Sequence, residues 1–273
     1  SVTLTAAGAI NQDGDALTDI VAGSAMLSGA AGVGTAASPI EVNLTTLSGR
    51  FATGGFFVTD TADGLTVGTV AGVAGVVDTD LATLNPITIF ALSPLTIAAN
   101  VTGSGTVTLA ASEDAVLPFA ADDNLTINAD ATVSSSASNV VLSAGDNVDI
   151  FGFVRATAGA TTITAGAGDN DGLGSITNVE TGISHVTLTG GTLTLLATGN
   201  NGSLGINLDT TASIIDADVI GTTTGGIAID NTTSATALTV TFTSPSTAAE
   251  TGDGSITLSN SGGDMTVDSV TTA

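Results

Sequence analysis

Apolar and hydroxyl residues alternate with a period of two along most of the chain. Thr106-Val107-Thr108-Leu109, Val186-Thr187-Leu188-Thr189, Thr192-Leu193-Thr194-Leu195, Leu238-Thr239-Val240-Thr241-Phe242-Thr243 and Ser255-Ile256-Thr257-Leu258 all follow it. This pattern predicts short strands with one buried face and one hydroxyl-lined face. Between the strands sit turn formers such as Gly190-Gly191, Gly199-Asn200-Asn201-Gly202 and Gly262-Gly263-Asp264, which supply positive φ and side-chain-to-backbone turn bonds. No stretch has helical periodicity. The five prolines (39, 86, 94, 118 and 245) fall mostly at strand entrances or in turns, where a missing amide donor is tolerated.

Two consecutive segments repeat one another. Asp123–Gly145 and Asp146–Gly166 both open on Asp-Asn, continue with a branched apolar residue, a spacer and Ile, and end in Ala-Gly. Each is roughly 22 residues long, the length of one coil of a parallel β-solenoid, in which each coil stacks on the one before. The expected fold is all-β: a single solenoid over residues 1–273, with about 12 coils of about 22 residues and a rod on the order of 60 Å long. In it Leu125 and Ile127 stack on Val148 and Ile150, and Val140 and Leu142 on Thr161 and Ile163. Asn124 stacks on Asn147 in an amide ladder. One or more antiparallel β-sandwich domains are the competing architecture. The tandem copy, the few aromatic residues and the scarcity of two-residue Asn-Gly or Asp-Gly turns count against them.

Composition narrows the setting. Of the 273 residues 42% are hydrophobic, mostly Ala, Val, Leu and Ile, with 8 Phe and no Tyr or Trp. That is enough apolar matter for a thin aliphatic core. There are 26 acids against Arg50 and Arg155, and no Lys, for a formal net charge of -24. Phosphate recognition needs clustered Lys and Arg, so nucleic acid and anionic membranes are excluded as partners. Cations are the natural counterpart, and a salty or calcium-containing exterior suits such self-repulsion, because salt shortens its range to roughly 8 Å near physiological strength. With no Cys, disulfide staples and thiolate metal sites are ruled out. Apolar runs break well short of the roughly 18 residues that a membrane-spanning helix requires, so none is expected, and SVTLTAAG at the start lacks the pattern of a signal peptide. The segment therefore reads as mature or excised protein.

Several phrases resemble the β-strand-repeat regions of large bacterial surface proteins, the filamentous-haemagglutinin-like and autotransporter-like adhesins. They are SVTLTAAGAINQDGDALTDIVAGSAMLSGAAGVGTAASPIEVNLTTL, TGGFFVTDTADGLTVGTV, DNLTINADATVSSSASNVVLSAGDNV and GSITLSNSGGDMTVDSV. The likeness is one of repeat style over most of the chain. It implies a right-handed parallel β-helix, export to the cell surface, and an adhesive or structural role. It carries no ligand residues, because those repeats have no fixed functional positions. Residues 75–93 and 204–233 fit the style less well and are expected to hold irregular coils or insertions.

Chemistry is sparse, and no enzyme signature is present. Parallel β-helices house polysaccharide lyases and glycosidases, and Asp122-Asp123 has the look of a paired-carboxylate acid and base. Such enzymes need basic residues for an acidic sugar chain, which two arginines do not supply, so the pair reads as a solvated turn. His185, the single histidine, builds neither a multi-histidine zinc site nor a triad and is expected at the surface or at a rung corner. Gly32-Val33-Gly34 lacks the helix and lysine of a phosphate cradle. Calcium is the better candidate. Asn11, Asp13, Asp15 and Asp19 space hard oxygen donors like the first half of a calcium loop, and Asp169-Asn170-Asp171-Gly172 forms a second acidic turn, though neither has a closing Glu. Phe51, Phe56, Phe57, Phe151 and Phe153 are expected in the core rather than in a binding stripe. Asn-x-Ser/Thr sequons occur at Asn43, Asn100, Asn124, Asn201 and Asn231, acceptors for glycan only in a glycosylating export route.

Together these features predict a non-catalytic extracellular structural protein. It would need no cofactor beyond optional Ca2+ and would associate with copies of itself end to end or laterally. The runner-up is an adhesin stalk that binds cell-surface glycans, and a β-helix polysaccharide lyase or glycosidase ranks third.

Overall fold

The computed structural model describes residues 1–273 except 16, 114–122, 169–173, 179–182, 199–203, 220–225, 233–237, 243–255 and 271–273. The described secondary structure is all strand and turn. In chain order, β1 is Val2–Ala6, β2 Ile20–Gly29, β3 Ile40–Phe51, β4 Phe56–Val67, β5 Thr69–Val70, β6 Val73–Ala74, β7 Val76–Asp78 and β8 Ile87–Ile97. Then come β9 Val101–Gly103, β10 Val107–Ser112, β11 Leu125–Ile127, β12 Thr132–Ser135, β13 Val140–Ala144, β14 Val148–Ile150, β15 Phe153–Ala156 and β16 Thr161–Ala165. The last are β17 Ile176–Thr177, β18 Val186–Leu188, β19 Leu193–Ala197, β20 Leu204–Thr211, β21 Ile214–Val219, β22 Gly226–Asn231, β23 Leu238–Phe242, β24 Ile256–Asn260 and β25 Met265–Val270.

Apart from the β5–β6 hairpin, these strands form one sheet in which every strand pairing is parallel. Each strand pairs with one a full coil away in sequence, which is a parallel β-solenoid. In the central part each coil has three strands: β11, β12 and β13 lie under β14, β15 and β16, and these under β17, β18 and β19. The rod thus has three faces. The first is built from β10, β13, β16, β19, β21 and β23, the second from β11, β14, β17 and part of β20, and the third from β7, β9, β12, β15 and β18.

Period-two alternation places every second side chain inside, and the insides stack as ladders. On the second face Leu65, Leu95, Leu125, Val148, Ile176, Ile206, Ile227 and Ile256 follow one another in register. Val140 and Leu142 pair with Thr161 and Ile163, as the repeat requires. Nearly all inward positions belong to a single apolar cluster running from Ile20 to Val240. Thr161 occupies a ladder place held on neighbouring coils by Ile87, Val107, Val140, Leu193 and Ile215; it is fully buried, and its hydroxyl has no hydrogen-bond partner among the described residues.

Coil length varies. Leu125 meets Val148 after a short coil, whereas Val107 meets Val140 and Thr161 meets Leu193 only after distinctly longer ones. A described excursion leaves at a corner, where a loop does not disturb the stack. Between β7 and β8 the excursion 79–86 is anchored by Asn85, whose amide nitrogen donates to the Ala52 carbonyl at 2.9 Å and to the Thr83 hydroxyl at 2.8 Å. The β5–β6 hairpin folds outside the stack and covers Met26 with Val70 and Val73. Gly75 closes it at φ 70°, and a Cβ there would lie 1.9 Å from the Asn100 carbonyl oxygen, so only glycine fits. Between residues 204 and 219, β20 and β21 continue the parallel register, with one shift between Leu204 and Ile206.

Candidate functional site

The twice-written Asp-Asn marks a corner between the first and second faces. In each copy Asp and Asn precede the second-face strand, Asp123-Asn124 before β11 and Asp146-Asn147 before β14. Stacking the copies stacks both residue types. The Asn147 side-chain nitrogen donates to Asn124 Oδ1 at 2.9 Å, and the Asn147 backbone N–H reaches the same oxygen at 3.0 Å. One rung further, the Ser175 N–H and hydroxyl donate to Asn147 Oδ1 at 3.0 and 2.7 Å. The expected amide ladder is therefore present, and it extends to a serine.

The aspartates pair in the same way. The Asp146 N–H donates to the Asp123 carbonyl at 2.9 Å, and the Asp123 N–H to Asp146 Oδ2 at 3.0 Å. Glu113, just past the end of β10, joins them, so that an oxygen from each of Glu113, Asp123 and Asp146 lies within 4.8 Å of the others. Asp123 and Asp146 are 1% and 0% exposed, and Glu113 is half-buried. Gly145 makes this approach possible: a Cβ there would stand 2.7 Å from the Glu113 Cα. Two oxygens on opposite sides of a calcium ion at about 2.4 Å lie about 4.8 Å apart, so the spacing suits a hard cation with oxygen ligands. Both arginines of the protein, Arg50 and Arg155, belong to strands on the third face, away from this corner.

Other acidic candidates are arranged differently. Asp13 Oδ1 accepts the Asp15 N–H at 3.2 Å, Asp15 Oδ1 the Leu17 N–H at 2.9 Å, and Asp19 Oδ2 the Glu41 N–H at 2.9 Å. These carboxylates cap the amides of their own loop and of the next coil. Asp169 and Asp171, like Asp122, lie outside the described residues. Asp123 is not the solvated turn expected from sequence, because the stacked coils bury it. Two residues of this corner, Asp146 and Glu113, are not among the candidates read from sequence. The signal for Asp146 was its identical place in the second copy, since matched residues of stacked coils must superpose. Glu113 carried no such signal, because it lies outside the two repeated segments.

Buried Asp78 accepts the Ser104 hydroxyl at 2.6 Å and the Asp80 N–H at 3.0 Å, and closes the 79–86 excursion. His185 does sit at a rung corner but is buried, 2% exposed, with Nδ1 2.6 Å from the Gly152 carbonyl oxygen. Its ring stacks on Phe153 at 5.6 Å and 13°, and the Arg155 guanidinium lies 5.0 Å from the centre of the Phe153 ring. Phe51, Phe56 and Phe57 are core residues as expected, whereas Phe151 is exposed and Phe153 half-exposed. A small open recess of about 200 Å³ near the first coils is lined in part by Ser28, Arg50 and Thr79. No helix among the described residues is long and apolar enough to cross a membrane. Comparison with protein-family models, with curated proteins and with solved structures finds no match to this chain.

Proposed function

We propose that this chain is a non-catalytic structural rod of an extracellular surface assembly, built to stack with further copies of itself. The observation that carries the reading is the repeated parallel rung, in which coil after coil pairs its backbone with the next in one continuous stack. A strand edge with free amides and carbonyls is a template for another strand, and a solenoid rung adds to the next with no new fold. The resemblance in repeat style to bacterial surface adhesins supports placement at the cell surface. So does the net charge of -24, which a salty or calcium-bearing medium screens.

Calcium bound by Glu113, Asp123 and Asp146 strengthens the rod by tying two adjacent coils at one corner. Negative-stain microscopy of the purified chain, with calcium and then with a chelator, tests the reading. Filaments or sheets that loosen on chelation are the expected result. Isolated short rods in both conditions would refute self-assembly and favour an adhesin stalk.

A further inference from the structure

The sequon asparagines sit in very different surroundings; Asn201 lies outside the described residues. Asn231 is fully buried. Its side-chain nitrogen donates to the Ala212 carbonyl and to Asn260 Oδ1, both at 3.1 Å, and its Oδ1 accepts the Thr210 hydroxyl and the Ala212 N–H. Asn124 is half-buried and belongs to the amide ladder with Asn147. A sugar on either residue would push coils apart. Asn100 is exposed, but its Oδ1 caps the Thr132 N–H at 2.9 Å, and Thr102 of the same sequon lies 3.5 Å from the Ser134 hydroxyl.

Asn43 differs from all of these. In Asn43-Leu44-Thr45 the leucine points inward, 2% exposed, while Asn43 and Thr45 share the outer side of β3, as strand residues two apart do. Both are exposed, and neither side chain makes a hydrogen bond among the described residues. The ladder also opens here. β3 pairs with β4 at Ile40, Glu41 and Val42 and again at Thr46 and Leu47, and the register shifts between them, so on that side the sequon faces a bulge. The Leu44 N–H turns to Asp60 Oδ1 at 3.2 Å. A bulge re-aims side chains and ends local pairing, so an enzyme can reach this stretch without separating coils.

We infer that Asn43 is a glycan attachment site. The donor is a sugar activated as a glycosyl diphosphate. The Asn43 side-chain nitrogen bonds to the anomeric carbon, the bond from that carbon to the phosphate oxygen breaks, and the diphosphate leaves. The amide proton passes to a base of the transferase. Thr45 supplies the hydroxyl that completes the sequon. Val21, in register with Asn43 and 72% exposed, is the neighbour that the first sugar would cover. The inference rests on the reading of the chain as extracellular, because the glycan is added on an export route.

Peptide mapping by mass spectrometry of the chain from its own cells, with surface and cytoplasmic fractions kept apart, is the test. Surface chain should carry glycan at Asn43, with Asn124 and Asn231 bare. Asn43 bare in surface chain would overturn the inference and leave the extracellular reading intact. Chain confined to the cytoplasm would overturn both. Accessibility is measured separately, by offering the folded recombinant chain UDP-glucose and a soluble transferase that reads Asn-x-Ser/Thr. Asn124 should gain hexose about tenfold more slowly than Asn43, since it needs local opening first, whereas excised peptides spanning the two sites should react alike. Equal rates in the folded chain would remove the geometric basis of the assignment. Asn43→Gln and Thr45→Ala should each lose the glycan and keep the wild-type melting temperature. Glycan that survives Thr45→Ala would refute attachment through this sequon.

Discussion

At the scale of single residues, the fold tolerates apolar variety inside and little else. Ile127 is fully buried between Ile97 and Ile150 on the second face. An aspartate there would be a buried charge with no arginine on its face, costing several kcal/mol. Ile127→Asp should therefore raise amide exchange first at Leu95–Ile97 and Val148–Ile150; unchanged protection there would disprove the inward ladder. Thr161 predicts the opposite sign. Its buried, unsatisfied hydroxyl occupies a valine-shaped place, so Thr161→Val should stabilise by about 1 to 2 kcal/mol. That would appear as a melting temperature higher by roughly 2 to 6 °C. A lower melting temperature would show that the hydroxyl has a partner in solution.

At the scale of the element, the repeated unit is a coil whose corner is as informative as its strands. Asn147 donates to the coil before, at Asn124 Oδ1, and accepts from the coil after, from the Ser175 N–H and hydroxyl. Asn147→Ala leaves the Ser175 donors facing an empty place in a buried corner. The expected loss is about 1 to 3 kcal/mol, measured by denaturant titration; a shift within error would mean that the ladder adds no net stability. Strand positions and this ladder were legible in the sequence, because alternation and tandem identity are local signals. Coil length was not legible. A corner accepts an insertion without altering the register on either side, so the short coil from Val140 to Thr161 and the long one from Val107 to Val140 leave the same pattern in the strands.

The whole molecule carries a formal net charge of -24, and one corner gathers three of its acids. Glu113, Asp123 and Asp146 concentrate negative charge in a buried place, and a bound cation would relieve it. Calcium at a hundred times its dissociation constant should add about 2.7 kcal/mol, raising the melting temperature by roughly 5 to 10 °C. Asp146→Asn should abolish that rise and Asp13→Asn should not. An equal rise in both variants would assign the effect to general screening.

The amino-acid sequence by itself determined the strands, their inward faces, the all-β solenoid and the stacking of Asp123–Gly145 under Asp146–Gly166. All of these follow from period-two burial and from the superposition of matched residues in neighbouring coils. Only the tertiary structure decided which distant residues share a corner or a row. Glu113 meets Asp146 although 33 positions separate them in the chain, and Arg50 and Arg155 fall on one outward line although they are far apart in the chain. The physical reason is that coils of unequal length wind around one rod. Sequence distance then no longer gives spatial distance, and only the backbone register from coil to coil restores it.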